Sequence, residues 1–330
     1  MKEFLKRHYY PLAVALVVAV AFAYPPAFLE CCGVKLTNFV APSLQLIMFG
    51  MGATLTASDF LGVVKTPWKV AIGAFLQFSV MPFSAFSLAR LFGFESEIAA
   101  GMILIGSVAG GMASNVIAFL ARANVALSVS MTCVSTLIAP FVTPFLMKLL
   151  AGADVQVDVA AMMWGMFKIV IFPVAGGVLF HFLLRRQFDE RKASVNRVLA
   201  GVSFFAICFN LGVSIAPNHV ALVQAGALIV LAAVVHIFIG FSLGYWGARL
   251  LGRFTAIDET DARTISIEVG MQNGGMACAL AITVLGSTAA ALPANAAAIV
   301  GSVLSPLLAD YWRKHDVRDT PVSSGRISDF

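Results

Sequence analysis

Two stretches of the sequence combine glycines with polar side chains inside otherwise apolar segments. They are residues 106–113 and 270–277, and five of their eight positions are identical. Oxygen-bearing side chains lie within or beside these stretches: Ser114, Asn115, Glu268, Gln272 and Asn273. Hard cations take oxygen ligands, and a carboxylate among hydroxyl and amide groups would supply both charge and ligands. The pattern therefore indicates cation binding at two matched places in the chain.

The surrounding sequence is that of a membrane protein. The 330 residues are 60% hydrophobic and only 12% charged, with a mean hydropathy of +0.90, whereas about a quarter of the residues of soluble domains are charged. The net charge of +5 does not indicate nucleic-acid binding, because the basic residues form short clusters between apolar spans. The five cysteines and five histidines have neither a disulfide framework nor the spacing of a zinc site.

Hydropathy predicts an all-α protein with many membrane spans. Taking about 20 apolar residues per span, we predict ten helices, at roughly 9–29, 36–56, 67–92, 97–121, 124–150, 158–184, 194–216, 219–250, 262–286 and 289–312. With the N-terminus in the cytoplasm, 18 of the 22 Lys and Arg residues are cytoplasmic, which agrees with the positive-inside rule. We expect a multi-pass protein of the cell (inner) membrane with both termini in the cytoplasm and a cytoplasmic tail at 313–330.

The two glycine stretches belong to a longer internal repeat. Residues 89–93 read Ala-Arg-Leu-Phe-Gly and residues 248–252 read Ala-Arg-Leu-Leu-Gly. The repeat divides the chain into halves at 1–157 and 158–312 with five predicted spans each, and an odd number inverts the second half in the membrane. The first span resembles a secretory signal peptide, but the repeat requires it as a partner. Inverted repeats with matched, glycine-interrupted spans are typical of secondary transporters, whose binding site lies between them.

The interrupted spans, 97–121 and 262–286, admit two interpretations. Glycines at such spacing serve close packing between membrane helices. Alternatively, each helix unwinds there, and its freed backbone groups require partners other than lipid. The polar neighbours and the matched positions favour unwinding. Free carbonyls would then suit sodium ions, and the helix start after each break would suit an anion such as a carboxylate.

Glu268 is the only acidic residue well inside a predicted span. An Asp, Lys or Arg at the centre of a membrane helix costs about 2.5 to 3.5 kcal/mol on the insertion scale, so a buried Glu268 requires a partner. It could form an ion pair with Lys168, or remain protonated as a hydrogen-bond donor between helices. The favoured interpretation is a sodium ligand, because oxygen atoms of other spans are available.

Three further spans contain polar side chains. Ser128 and Thr132 are four residues apart and share one face of a helix, although each hydroxyl could instead bond its own backbone. A glutamine such as Gln77 is more often a tie between helices than a ligand, and Asn210 is interpreted only as such a tie. The sequence leaves these alternatives open.

Several strings resemble the bile acid:sodium symporter family. Residues 267–273 read Ile-Glu-Val-Gly-Met-Gln-Asn, residues 110–116 read Gly-Gly-Met-Ala-Ser-Asn-Val, and residues 124–129 read Asn-Val-Ala-Leu-Ser-Val. With Ile-Met-Phe-Gly-Met-Gly at 47–52, the similarity extends over nearly the whole chain. It implies that spans 1, 2, 6 and 7 form a panel domain and that spans 3 to 5 and 8 to 10 form a core domain. Spans 4 and 9 would be discontinuous and cross each other.

The resemblance also implies the ligands of two sodium ions. One site would be formed by Ser114, Asn115, Ser128, Thr132 and Glu268. The other would be formed by Gln77, Glu268, Gln272 and the backbone carbonyls of Val269 and Met271. Substrate would lie between panel and core against Asn273 and the helix starts after the breaks, at Met112, Ala113 and Gly275. Met112 departs from the family pattern, which has a small polar residue there, and this leaves the substrate open.

These observations predict a sodium-coupled secondary active symporter that works by alternating access. It would carry an organic anion, a bile acid or a small carboxylate such as pantoate, with two sodium ions. The alternative is a proton-coupled or efflux carrier of the same plan, with Glu268 as the titrating group. An enzyme is not predicted, because the spans lack paired acidic residues, a metal motif and a Ser/His pair. The expected partners are sodium, the anion and the lipid bilayer, with neither nucleic acid nor another protein.

Overall fold

A computed structural model gives the fold. It describes residues 16–111, 113–152, 155–183, 198, 201–202, 204–206, 208–253 and 257–315. Of residues 57–60, 221, 222, 224 and 225 it describes the backbone alone.

The described part of the chain is built of helices. We number those of at least eight residues whose bounds are defined: α1 Val40–Thr54, α2 Ala57–Lys65, α3 Pro67–Leu91, α4 Ser96–Ser107, α5 Ala113–Leu120, α6 Val125–Ala151, α7 Val159–Leu183, α8 His219–Gly252, α9 Glu259–Gly270, α10 Gly274–Thr283 and α11 Leu292–Lys314. Residues 16–23 are also helical, as are the described residues between 201 and 215. Shorter helical turns are Pro26–Leu29, Leu36–Phe39, Ala216–Asn218 and Ala289–Ala291, and α7 contains a π-helical turn at Phe167–Ile171.

Within the described ranges, six helices are long and apolar enough to cross a membrane. They are Leu36–Thr54, Pro67–Leu91, Val125–Ala151, Val159–Leu183, Gly226–Gly252 and Ala289–Lys314, and they correspond to six of the ten predicted spans. Large apolar side chains such as Phe75, Phe145 and Trp246 are more than half exposed on their outer faces, as expected where lipid is the solvent. The chain is therefore a multi-pass, all-α membrane protein.

The other four predicted spans have different outcomes. Span 97–121 consists of α4 and α5, and span 262–286 consists of α9 and α10, each interrupted at its glycines. Span 9–29 is helical over its described residues 16–23 and ends before Pro25. Much of span 194–216 lies outside the described residues, although 208–215 is helical.

Two elements were not predicted from the sequence. Helix α2 contains Asp59 and Lys65, so a search for apolar spans passes over it. Strands β1 Glu30–Cys31 and β2 Val34–Lys35 form a short antiparallel hairpin. Its turn places Cys32 at φ 52° and Gly33 at φ +80°, which is the positive-φ pair that two-residue hairpin turns require.

Helix α9 lies at the centre of the packing around the site. It contacts α3, α5, α6 and α8, and its residues from Asp261 to Gly270 are all buried. This explains how a helix rich in polar side chains exists in an apolar protein, because its neighbours and not lipid surround them. The sodium-ligand candidates of the sequence lie on α3, α5, α6 and α9, or in the break after α9.

Candidate functional site

The two helix interruptions bind each other through their backbones. The Gly111 amide donates to the carbonyl of Met271 at 2.8 Å, and the Asn273 amide donates to the carbonyl of Ala109 at 3.0 Å. Between these bonds, Gly110 and Gln272 form an antiparallel bridge. Each break thereby provides hydrogen-bond partners for some of the backbone groups that the other break frees. Buried backbone groups require such partners.

Glycine residues permit the close approach of the two chains at the crossing. A Cβ atom on Gly110 would lie 3.2 Å from Oε2 of Glu268, and one on Gly111 would lie 3.1 Å from the Gln272 carbonyl oxygen. A Cβ atom on Gly270 would overlap the ring of Phe241 at 2.2 Å. The glycines therefore bring the broken segments against the buried carboxylate.

The Glu268 carboxylate is fully buried and is surrounded by hydroxyl groups. Its Oε1 accepts hydrogen bonds from Ser114 on α5 and Ser128 on α6. Its Oε2 accepts one from Thr132 on α6 at 2.9 Å. Ser128 and Thr132 therefore share one face of α6, as their spacing predicts, and three helices meet at one carboxylate.

This cluster contains more acceptor oxygen atoms than hydroxyl protons that can form hydrogen bonds with them. The Ser128 hydroxyl lies 2.8 Å from Oδ1 of Asn115 as well as against Glu268. The Thr132 hydroxyl lies 3.1 Å from the Ser128 carbonyl as well as against Glu268. Each hydroxyl has a single proton and can donate to only one of its two acceptors. A buried carboxyl group among neutral oxygen atoms, with few protons between them, fits a hard cation.

A second set of candidate oxygen atoms lies on α3 and in the break after α9. The amide oxygens of Gln77 and Gln272 are buried and have no hydrogen-bond partner. The Gln77 amide nitrogen is 3.5 Å from the Val108 carbonyl and 3.5 Å from the position of a Cβ on Gly110, which also faces Glu268. A buried acceptor without a partner costs about 1 to 3 kcal/mol, so a cation that both oxygens could reach would offset an existing penalty.

The two backbone carbonyls of the predicted second site lie at the end of α9. The Val269 carbonyl accepts from Nε2 of Gln272 at 2.9 Å, and the Met271 carbonyl accepts from the Gly111 amide. Both belong to the segment that crosses the first break. No group of three or more His, Cys, Asp or Glu residues that could hold a metal occurs in the described part of the chain, so a cation here would depend on neutral oxygens and one carboxylate.

The predicted substrate residues lie at the two helix starts beyond the crossing. Asn273 caps α10, and its Oδ1 accepts from the Met276 amide at 3.0 Å. Gly275 follows in the first turn and is half-buried, while Ala113 begins α5 and is exposed. Met112 lies outside the described residues.

The alternative partner of Glu268 is engaged elsewhere. Lys168 is exposed on α7, and its ammonium group lies 5.6 Å from the centre of the Trp164 ring. Among the described residues no ion pair joins it to Glu268. Asn210 is a tie between helices, since its Oδ1 accepts from Ser43 on α1 at 2.9 Å.

One supporting network was missed by the sequence analysis. The buried carboxylate of Asp261, at the start of α9, accepts from Lys69 on α3 and from Asn124 before α6. The available sequence signal was the Asp-x-x-Asp capping box at 258–261, which identifies a helix start but not the neighbours of its side chains.

The known proteins that this chain resembles are sodium-dependent transporters. The model of the sodium bile acid symporter family matches residues 41–239. The uncharacterized sodium-dependent transporter YocS of Bacillus subtilis is 36% identical over 301 residues, which are 91% of this chain and 89% of that protein. The probable sodium/metabolite cotransporters BASS1 of Arabidopsis thaliana and Oryza sativa subsp. japonica, both chloroplastic, are 35% and 37% identical over 310 and 309 residues. These alignments cover 92% of this chain and 73% and 72% of the two relatives.

Proposed function

The chain belongs to the sodium bile acid symporter family, and on this basis we propose that it couples the entry of an organic anion to the entry of two sodium ions. Its relatives are named as transporters, so it is a sodium-dependent membrane transporter and not an enzyme. The observation that carries the finer proposal is the buried carboxylate of Glu268, which accepts hydrogen bonds from hydroxyl groups of α5 and α6. It is supported by the buried amide oxygens of Gln77 and Gln272, which have no hydrogen-bond partner.

The first sodium ion would bind among the side chains that surround Glu268 on α5 and α6: Ser114, Asn115, Ser128 and Thr132. The proton-poor arrangement supports this assignment. When sodium binds, each hydroxyl would direct its proton to its second acceptor and a lone pair to the ion. For Thr132 that second acceptor is the Ser128 carbonyl at 3.1 Å.

The second sodium ion would bind between α3 and the break after α9. Gln77, Glu268, Gln272 and the carbonyls of Val269 and Met271 would be its ligands. The unpartnered oxygens of the two glutamines support this site, because sodium would replace the partners they lack. Both sites would share Glu268, so that one negative charge is distributed between two ions.

The organic anion would bind at the starts of α5 and α10. Amide groups at a helix start carry a partial positive charge, which favours a carboxylate. At α10 the Asn273 side chain accepts from one of them, the Met276 amide. Asn273, Gly275, Ala113 and Met112 are the residues that we assign to it. Sodium in the neighbouring sites would add attraction and would hold the crossing in the shape that receives the anion, so sodium would bind first.

We place the two sodium sites between inverted halves of the chain, 1–157 and 158–312. Each half contains one broken helix, and the breaks pair in the antiparallel sense, as copies with opposite orientations in the membrane would do. Ten spans in panel and core domains, with both termini in the cytoplasm, follow from this plan. Movement of the panel against the core would open the site to each side in turn.

Transport with this stoichiometry moves charge. Two sodium ions and one monoanion carry one net positive charge inward, so the membrane potential would contribute about 2.3 kcal/mol per 100 mV to uptake. The purified protein in sealed liposomes tests this directly. Bile acids and pantoate are offered outside, with an inward gradient of either sodium or potassium and with the potential clamped at zero or set negative inside.

We expect uptake of at least one anion with sodium and not with potassium, and faster uptake at a negative potential. Uptake that follows a pH gradient and ignores sodium would instead establish the proton-coupled alternative. Sodium-dependent uptake that is insensitive to the potential would contradict the two-to-one stoichiometry.

A further inference from the structure

Asp261 is a buried carboxylate that joins three helices. Its Oδ1 accepts from Nδ2 of Asn124 at 2.8 Å, its Oδ2 accepts from the Lys69 ammonium group, and the Asp258 amide lies 3.3 Å from Oδ2. Lys69 lies in the first turn of α3, Asn124 is the N-cap of α6, and Asp261 lies in the first turn of α9.

These are the same three helices that supply most of the proposed sodium ligands. Helix α3 carries Gln77, helix α6 carries Ser128 and Thr132, and helix α9 carries Glu268. Each ligand lies one to two helical turns beyond the tied end, since a turn contains about 3.6 residues. The Asp261 carboxylate therefore fixes the starts of the three helices relative to one another, and with them the relative positions of the ligands.

Asn124 makes the tie between α6 and α9 rigid. Its side-chain oxygen accepts from the Leu127 amide at 3.1 Å and so caps α6, while its side-chain nitrogen donates to Asp261. Its backbone amide donates to Oγ1 of Thr264, one turn further along α9, at 2.8 Å. The start of α6 is thus bound at two successive turns of α9.

The tie resists sliding because the carboxylate is buried. Removing one partner of a buried charged pair leaves a charge without compensation, which is strongly unfavourable. A slip of one residue along a helix moves its side chains by about 1.5 Å, and ligand groups must be held to within about 0.5 Å for a site to function. A small loss of register at Asp261 would therefore disperse the oxygen atoms around Glu268.

We propose that Asp261, with Asn124 and Lys69, is a positioning residue that sets the register of α3, α6 and α9 and thereby the sodium affinity of the transporter, without touching an ion. This inference rests on the proposed function of Glu268 as the shared sodium ligand. Loss of the Asp261 tie should change the sodium affinity more than the maximal rate. This distinguishes the tie from an ion pair that only stabilises the fold.

The test measures uptake against sodium concentration for Asp261→Asn, Asn124→Ser and Glu259→Gln in liposomes. Asn124→Ser keeps an oxygen that can cap α6 but removes the longer side-chain amide whose Nδ2 donates to Asp261. Glu259→Gln is the matched control, since Glu259 also forms an ion pair at the start of α9, but with Arg249 and Arg263. Substitutions that disturb the orientation of metal ligands typically weaken metal affinity by about 10- to 100-fold.

We expect the half-saturating sodium concentration to rise by about tenfold or more in Asp261→Asn and Asn124→Ser, with the maximal rate at saturating sodium retained. Glu259→Gln should leave it unchanged. Exchanging the two groups in Asn124→Asp/Asp261→Asn restores an amide-carboxylate pair and should recover part of the affinity. If Asp261→Asn does not reach the membrane, Asn124→Ser decides alone.

An unchanged half-saturating sodium concentration in both single variants, or a loss of maximal rate alone, would show that the tie only stabilises the fold. Glu268→Gln separates this failure from failure of the proposed function. If Glu268→Gln abolishes sodium dependence while the tie variants keep normal sodium affinity, the positioning role alone is wrong. If Glu268→Gln keeps normal sodium dependence, the proposed sodium sites are wrong.

Discussion

The hydroxyl of Thr132 on α6 donates a hydrogen bond of 2.9 Å to Oε2 of Glu268 on α9. The same hydroxyl lies 3.1 Å from the Ser128 carbonyl, so its proton has an alternative acceptor within reach. Rotation of the Thr132 hydroxyl about its Cβ–Oγ1 bond moves the proton from one acceptor to the other and leaves a lone pair directed toward the carboxylate. Under the proposed function, this rotation would turn a hydroxyl lone pair of Thr132 toward a bound sodium ion.

Replacement of Glu268 tests the centre of this arrangement. Glu268→Gln keeps the size of the side chain and its ability to accept from Thr132, but it removes the charge that both sodium ions would share. We expect sodium-driven uptake to fall to the level of empty liposomes, and Glu268→Ala to behave in the same way. Normal sodium dependence in either variant would contradict the proposed sites.

The control for this experiment is Glu97→Gln. Glu97 is an exposed acidic residue in the first turn of α4, at the end of that helix away from the break, and it accepts a hydrogen bond from the hydroxyl of Ser287. We expect Glu97→Gln to retain sodium-driven uptake, since an exposed charge contributes little.

Replacement of Gln77 should change stability and sodium binding in opposite directions. Gln77→Met removes a buried amide oxygen that has no hydrogen-bond partner. In the part of the chain that the structure describes, the only hydrogen bond that it removes is the long one of 3.5 Å from the Gln77 amide nitrogen to the Val108 carbonyl. Without sodium the variant should be more stable than the parent by about 1 kcal/mol, and it should gain less stability when sodium is added. Thermal unfolding of the purified protein in sodium and in potassium measures both effects.

The sodium dependence of uptake in Gln77→Met should also become less steep, because one of the two proposed ions would be lost. Ser79→Ala is the control on the same helix, since the Ser79 hydroxyl bonds the Phe75 carbonyl of its own helix. If Gln77→Met lowers stability in potassium and leaves the sodium response intact, Gln77 is a tie between helices and not a ligand.

Much of this site could be predicted because its chemistry is local in sequence. The four-residue spacing of Ser128 and Thr132 fixes a common helix face, and a lone acidic residue in an apolar span requires oxygen or charged partners. Glycines beside polar residues also indicated where α4 and α9 would end. In each case the physical reason acts within about one helical turn.

The remainder depends on contacts between distant segments. Ser128 and Thr132 mark one polar face of α6, but the sequence of α6 does not show that this face meets α9. The pairing of Gly111 with Met271 and the tie from Asn124 to Asp261 join residues more than 100 positions apart. The matched glycine stretches predict that the two breaks meet, but no pattern in the sequence indicates which residues bond across them or that Asn124 meets Asp261. Helix α2 was missed for a different reason, since a moderately polar helix has no hydropathy signal.

The close approach at the crossing predicts a strong effect of a single methyl group. In Gly110→Ala the new Cβ would lie 3.2 Å from Oε2 of Glu268 and 3.5 Å from the Gln77 amide nitrogen. We expect the half-saturating sodium concentration to rise by about tenfold, because the methyl group occupies space between the proposed ligands. Uptake measured against sodium concentration provides the test.

The matched variant for this experiment is Gly301→Ala in α11. Its new Cβ would meet only Ile237 at an ordinary contact distance of 3.8 Å, so uptake and sodium affinity should be unchanged. Equal behaviour of Gly110→Ala and Gly301→Ala would mean that the space beside Glu268 is not used by an ion.

Alternating access predicts that α10 separates from the helix that contains Ser214. The Cys278 sulfur on α10 lies 3.7 Å from the Ser214 hydroxyl, and Asn295 on α11 donates to the same hydroxyl. A thiol at position 214 would stand close enough for a disulfide bond, whose sulfur atoms are about 2.05 Å apart. We expect Ser214→Cys to form this bond under oxidising conditions, to lose uptake, and to regain it after reduction.

Two further variants isolate the effect of the disulfide. Ser214→Ala removes the hydrogen bond from Asn295 without adding a thiol, and Ser214→Cys/Cys278→Ala adds a thiol without a partner. Both should transport equally well before and after oxidation, because neither can link the helices. If the oxidised Ser214→Cys protein is fully cross-linked and still transports as fast as it does after reduction of the disulfide bond, these two helices remain together throughout the cycle. The separation of panel and core must then occur elsewhere in the molecule.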